Sequence, residues 1–243
     1  MLKGLWKLTW VEIKIFAREP MGVVGSVGLP VFLFLLLGSV GGSASTVPRS
    51  LSQPIIIASL FVALSAVTSL TAIIAIYREG GILKRLRATP LRPVTILGAH
   101  VVVKLILTML SFGLLFVAGR RYYPDALGEN SLSFAVALLI STLSIVSIGF
   151  VVASIVPTAR FARPIANAVL FPMLAISGLF FPLDLLPSPW QALAGALPVT
   201  NAVSLLRGIL GGGAWSQYPV EVGALVLNFA LCSAISTKVF RWE

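Results

Sequence analysis

The chain has 243 residues, 58% of them hydrophobic and 11% charged, with eighteen Lys and Arg against eight Asp and Glu. Soluble domains carry about 25% charged residues, so this composition and a mean hydropathy of +1.00 exclude an ordinary soluble globule. A net charge of +10 in an apolar chain points to the excess of Lys and Arg on the cytoplasmic side of membrane proteins, not to nucleic acid.

The first twenty residues, MLKGLWKLTWVEIKIFAREP, are too polar to span. On a helical wheel Lys3, Lys7, Lys14 and Arg18 form one stripe, with Leu2, Leu5, Trp6, Ile13 and Phe16 well away from it. Such a helix, over 1–19, lies in the membrane interface with its bases toward lipid phosphates. A simple anchor and a cuff that also touches a partner protein both fit. Pro20 ends the helix.

A span needs about 20 mainly apolar residues. Residues 21–42, 54–77, 96–119, 131–156 and 218–240 meet this. The first run is too long for the core of a signal peptide and has twenty residues before it, so a retained span is expected. A sixth span, 164–182, is shorter and holds Pro164, Pro172 and Pro182; Pro164 suits a helix start and Pro172 a kink. Each span is predicted to be helical, because backbone in lipid must satisfy itself.

Six spans place both termini on one side. With the N-terminus inside, the inner segments hold Lys3, Lys7, Lys14, Arg18, Arg78, Lys84, Arg85, Arg87, Arg92, Arg160, Arg163, Lys238 and Arg241. The outer ones hold Arg49, Arg120, Arg121 and Arg207. This asymmetry predicts cytoplasmic termini. It also predicts a cytoplasmic position for Tyr77 to Pro93, YREGGILKRLRATPLRP, which lies between two apolar runs.

In that loop Gly80-Gly81 permits a sharp exit from the preceding span. Ile82, Leu83 and Leu86 share one helical face, Lys84, Arg85 and Arg87 point elsewhere, and Pro90 stops the helix. A helix this short is marginal alone in water and holds its shape when docked. A purely topological loop explains the charges. Docking into a groove of another protein also explains the glycines, the apolar face and the proline. Glu79 is the lone acid among these bases; it suits a cap on the positive end of the short helix, or a weak surface ion pair.

The stretch from Tyr77 to Leu91 resembles the loop between the second and third spans of type-2 ATP-binding cassette (ABC) exporter permeases. Gly178-Leu179-Phe180-Phe181-Pro182-Leu183, Leu197-Pro198-Val199-Thr200 and Leu206-Arg207-Gly208 resemble the segment before that family's last span. The resemblance implies an all-α integral membrane protein, one permease domain over 1–243, with six transmembrane helices. It further implies an interfacial helix at 1–19, a cytoplasmic coupling helix at 79–91 and outer-side re-entrant half-helices within 183–217. The residues it marks for coupling to the ATPase are Glu79, Gly80, Gly81, Ile82, Leu83, Lys84, Arg85, Leu86 and Pro90.

The implied partners are a cytoplasmic ABC ATPase subunit, a second permease subunit (a copy or a different chain) and membrane lipid, in a prokaryotic plasma membrane. The sequence has no G-x-x-x-x-G-K-[ST] loop, so ATP and Mg are assigned to the partner and no cofactor to this chain.

Within the spans, Thr68, Thr71, Asn167, Asn201 and Asn228 either bond across helices or line a substrate path. His100 and Lys104 lie four apart on one helix face. An intramembrane charge is a functional candidate by default, but a later start of the third span lets Lys104 snorkel to the inner surface, which is the preferred reading. One cysteine, Cys232, permits no internal disulfide, and one histidine permits no multi-histidine metal site.

No acid pair lies in a span and the histidine has no partnered nucleophile, so no catalytic set is expected. An ion-driven transporter would need intramembrane acids. The expected activity is export of a hydrophobic or amphipathic drug or lipid. Polysaccharide or glycolipid export, and a non-transporting scaffold that recruits a partner, are the alternatives.

Overall fold

The computed structural model describes residues 2–18, 24–41, 54–82, 93–122 and 131–239. Every long element is helical: α1 (Leu2–Ala17), α2 (Leu29–Gly41), α3 (Pro54–Glu79), α4 (Pro93–Tyr122), α5 (Ser131–Ile155), α6 (Ala159–Ala175), α7 (Ser188–Ala196), α8 (Pro198–Leu210) and α9 (Pro219–Val239). Proline opens α3, α4, α8 and α9, where its missing N–H is an orphan in any helix and its fixed φ is already helical.

Ile55–Glu79, Gly98–Arg121, Ser131–Ile155 and Pro219–Lys238 are long and apolar enough to cross a membrane, and α7 with α8 adds a fifth if that bent pair counts as one span. The twenty-six residues of α3 reach about 39 Å at 1.5 Å per residue, more than the roughly 30 Å hydrocarbon core.

Two expected spans differ from the helices found. In place of one helix over 21–42, a π-turn at Val24–Gly28 runs into the thirteen-residue α2; residues 21–23 lie outside the described residues. Pro30 in the first turn of α2 gives the reason: its ring crowds the carbonyl four residues back, at Ser26, and the wider turn relieves that contact. In place of 164–182, α6 starts at Ala159 and ends at Ala175, followed by a turn. Pro164 therefore sits inside the helix, not at its start, and the helix runs on through Pro172.

The core is built around α3 and α5. Ile55, Leu60, Val67, Phe134, Leu138 and Ile145 are buried in one cluster with Leu205 and Leu206 of α8. The α3–α5 seam is close because Gly149 has no side chain: a Cβ there would stand 3.2 Å from Val67 Cγ1 and 3.3 Å from Leu70 Cδ2. Thr71 uses that proximity, its Oγ1 lying 2.9 Å from the Val67 carbonyl of its own helix and 3.3 Å from the Gly149 carbonyl across the seam.

Helices α7 and α8 meet at 81°. Pro198 breaks them, and the Asn201 side-chain amide donates across the break to the carbonyls of Gly195 (3.1 Å) and Leu197 (3.0 Å). Arg207 donates from Nη2 to the Gly178 carbonyl at 3.2 Å, tying α8 to the turn after α6. Gly178 makes that turn with φ +78°, a conformation that favours glycine. A pair bent in this way forms either a broken span or a re-entrant loop; the re-entrant reading of 183–217 and the side of the membrane it faces belong to the proposal below.

Candidate functional site

Three features of the structure carry the candidate chemistry: a cavity, a polar knot and a helix corner. The cavity, about 140 Å³, lies between the π-turn, α3 and α6. Leu29, Phe61, Leu64, Leu170 and Phe171 form apolar wall, and Ser65, Thr68 and Asn167 supply the polar groups. Ser65 Oγ donates to the Val62 carbonyl at 2.8 Å and Thr68 Oγ1 to the Ser65 carbonyl at 3.0 Å. With their protons used inside the helix, both hydroxyls face the cavity as acceptors. Asn167 supplies amide donors from the opposite wall. An apolar ligand with one or two hydroxyl, carbonyl or amide groups matches such a lining.

Of the five path candidates, Thr68 and Asn167 share this cavity. The others hold helices together. Thr71 bridges the α3–α5 seam and Asn201 satisfies the α7–α8 break, as above. Asn228 Nδ2 donates to the Ser144 carbonyl and lies 3.0 Å from Ser144 Oγ, joining α9 to α5.

The polar knot lies where α1 crosses α3 and α4. Glu12 and Thr9 form the face of α1 turned inward, with Glu12 8% exposed. Tyr77 donates its hydroxyl to Glu12 Oε1 at 2.7 Å. His100 Nδ1 lies 3.7 Å from Glu12 Oε2, and the Tyr77 and His100 rings are 5.7 Å apart. Burial pushes the Glu12 carboxyl above the usual carboxylate range, while the Tyr77 bond and the charge of Lys104 pull the other way.

Lys104 is 9% exposed and lines a crevice of about 10 Å³ with Ser65, Ser69 and Thr108. The expected snorkelling to the surface is therefore not what the chain does: α1 covers this end of α4, so Lys104 turns into the α3–α4 contact. Sequence inspection missed Glu12 because it lies in a helix read for its bases. Lys7, Lys14 and Arg18 are indeed exposed, together with Trp6 and Trp10. Lys3 lies in α1, and its side chain is outside the described residues.

The helix corner is the 156–158 link between α5 and α6, and the end of α3 meets it. Glu79 caps a helix among the described residues: its Oε1 accepts from the backbone N–H of Ala159 at 2.8 Å, at the start of α6; the short helix it was expected to cap falls largely beyond Ile82, outside the described residues. Thr158 precedes α6 without a side-chain cap bond of its own, so the carboxylate of α3 takes the role. Gly80 follows α3, and Gly81 turns the chain with φ +66°. Ile82 is the last residue described on this side; Leu83, Lys84, Arg85, Leu86 and Pro90 lie outside the described residues.

Among the described residues no three His, Cys, Asp or Glu side chains are grouped to hold a metal. Long apolar helices, an apolar cavity with sparse polar groups and a polar seam beneath an amphipathic helix define a multi-pass membrane protein of the permease class. The chain belongs to the ABC-2 type transporter family, whose pattern it matches over residues 3–210.

It is 31% identical over 128 residues to Nodulation protein J of Rhizobium leguminosarum bv. trifolii, covering 51% of this chain and 49% of the relative. It is 29% identical over 104 residues to Nodulation protein J of Rhizobium leguminosarum bv. viciae, covering 43% of this chain and 40% of the relative. It is 26% identical over 167 residues to the linearmycin resistance permease protein LnrN of Bacillus subtilis, covering 68% of this chain and 43% of the relative. The chain thus spans less than half the length of these curated relatives. Within the family this chain is the membrane component, not the ATPase.

Proposed function

We propose that this chain is the permease subunit of an ATP-driven exporter that moves a hydrophobic or amphipathic small molecule, a drug or a lipid, out of the cell. The cavity between the π-turn, α3 and α6 carries this reading: an apolar wall with Ser65, Thr68 and Asn167 is suited to one part of an uncharged or amphipathic ligand, since about 140 Å³ is smaller than a whole drug-sized molecule requires. A linearmycin resistance permease among the relatives supports a drug-like cargo.

The reading places six spans in a prokaryotic plasma membrane with both termini cytoplasmic: the π-turn with α2, then α3, α4, α5, α6 and α9, with α7–α8 re-entrant from the outer side. A cytoplasmic ATPase binds ATP and Mg, grips the loop at 79–91, and drives two permease subunits apart around the substrate. Glu79 through Leu86 and Pro90 receive the stroke, and the basic face of α1 rests on lipid phosphate.

The experiment is reconstitution of the chain with candidate ATPases in proteoliposomes. Vanadate-sensitive uptake of an amphipathic dye into inside-out vesicles supports the proposal. Binding of the ATPase without transport of any dye, lipid or glycolipid supports a scaffold instead.

A further inference from the structure

Arg78 and Glu79 end α3 side by side, and they hold opposite poles of two consecutive helices. Arg78 Nη1 donates to the Ala153 carbonyl at 3.3 Å, and Nη2 donates to the carbonyl of Val156. Both acceptors stand at the carbonyl end of α5. One residue along, Glu79 accepts from the Ala159 amide at the start of α6. Each charge has the sign that its helix pole favours, cation on carbonyls and anion on amides.

The corner between the poles needs outside partners. Pro157 has no N–H to give. The Thr158 hydroxyl is buried with no hydrogen-bond partner and caps nothing.

Helix α5 is fixed to α3 by the Gly149 seam and the Thr71 bond, and α6 packs on α3 in a buried cluster that holds Ala72 and Ala75 with Ala162 and Ala166, so both residues reinforce existing joints. Glu79 makes the polar tie from the end of α3 to the start of α6. Helix α6 carries Asn167, Leu170 and Phe171 into the cavity, and Asn167 lies eight residues, about 12 Å of helix, beyond Ala159.

We infer that Arg78 and Glu79 form a two-ended clamp that passes displacement of the 79–91 loop to the α5–α6 corner, so that α6 and its cavity wall move with α3. Glu79 is a positioning residue that acts through the start of α6. The inference rests on the loop being the receiver of the ATPase stroke.

The test uses the permease–ATPase complex in proteoliposomes and measures solute moved per ATP hydrolysed. In a Cys232→Ser background, spin labels at Ile82 and Phe161, both exposed, report the loop-to-α6 distance by double electron–electron resonance.

The clamp requires that this distance stay constant when ATP binds. Glu79→Ala should broaden it and lower transport per ATP by about tenfold, the worth of one charge-assisted hydrogen bond. Glu79→Gln keeps an acceptor and should restore most of the ratio. Glu79→Asp, one methylene short, serves as the graded variant where Glu79→Ala fails to assemble, and should fall between.

An unchanged ratio in Glu79→Ala or Glu79→Asp overturns the clamp, as does a wild-type distance that changes on ATP binding. Leu86→Ala separates the two levels. If it leaves the ratio unchanged, the loop is not the receiver and the function reading fails with it. If it lowers the ratio and the Glu79 variants do not, only the clamp fails.

Discussion

The Tyr77 hydroxyl and the Glu12 carboxylate, sixty-five positions apart, meet at 2.7 Å and pin the amphipathic first helix to the end of α3. A buried carboxylate must be hydrogen-bonded to be tolerated. Tyr77→Phe removes that donor and keeps the ring against His100. The expected result is a loss of about 1.5–3 kcal/mol, read as a lower midpoint of thermal unfolding in detergent, with earlier proteolysis of the first helix. An unchanged midpoint would show that the bond has no energetic weight.

Glu12 also sets a pH dependence. Tyr77 faces it from α3 and His100 and Lys104 from α4. Its folded pKa is raised above the ordinary 4.5, chiefly by burial, so the folded chain holds this proton more tightly than the unfolded chain. Stability from the group is complete below the unfolded value and is lost as pH rises through the folded one. Glu12→Gln should flatten this slope and be at least as stable as the wild type at pH 7.5. Melting midpoints of the two proteins across pH 4 to 8 check it; parallel curves would refute it.

Asn167 supplies the amide on the α6 wall of the cavity, and no hydrogen bond ties it to the described residues. Asn167→Leu should preserve folding, because the site is partly open and apolar. It should shift the concentration of amphipathic substrate that half-stimulates the ATPase by about tenfold, the loss of one polar contact. Thr71→Val, at the α3–α5 seam, should instead lower the melting midpoint with little shift in that concentration. Equal effects at the two sites would remove the distinction between cavity and seam.

Tyr218 lies against Gly208 and Gly213; a Cβ on Gly208 would fall 2.1 Å from Tyr218 Cζ. Gly208→Ala must displace the ring, and an overpacked contact costs roughly 1–3 kcal/mol. Pairing it with Tyr218→Ala should cost less than the sum of the two single changes, as for any pair in direct contact. Chemical denaturation of the four proteins decides this, and strict additivity would overturn it.

Much of the architecture was legible along the chain. Four apolar runs read as spans coincide with long helices to within a few residues, since hydrophobic length is a property of one segment and needs no partner. The break at Pro198 and the turn at Gly81 were equally local. The boundaries of α2 and α6 were not, because a proline inside a helix is tolerated where neighbouring helices pack against it, and sequence does not show the neighbours. Thr68 and Asn167 were identifiable as polar groups in apolar runs; that they share a cavity while Thr71 and Asn228 join helices was not visible from type or spacing.

The sequence alone determined that this is a membrane chain and where most of its helices lie, because composition and apolar run length act residue by residue. Tertiary structure alone decided what Glu12, Tyr77, Arg78 and Glu79 do. Their partners are carbonyls, amides and side chains left over at helix ends. Which ends meet is fixed by packing around Gly149 and the apolar core, a property of the assembled bundle and not of any one segment.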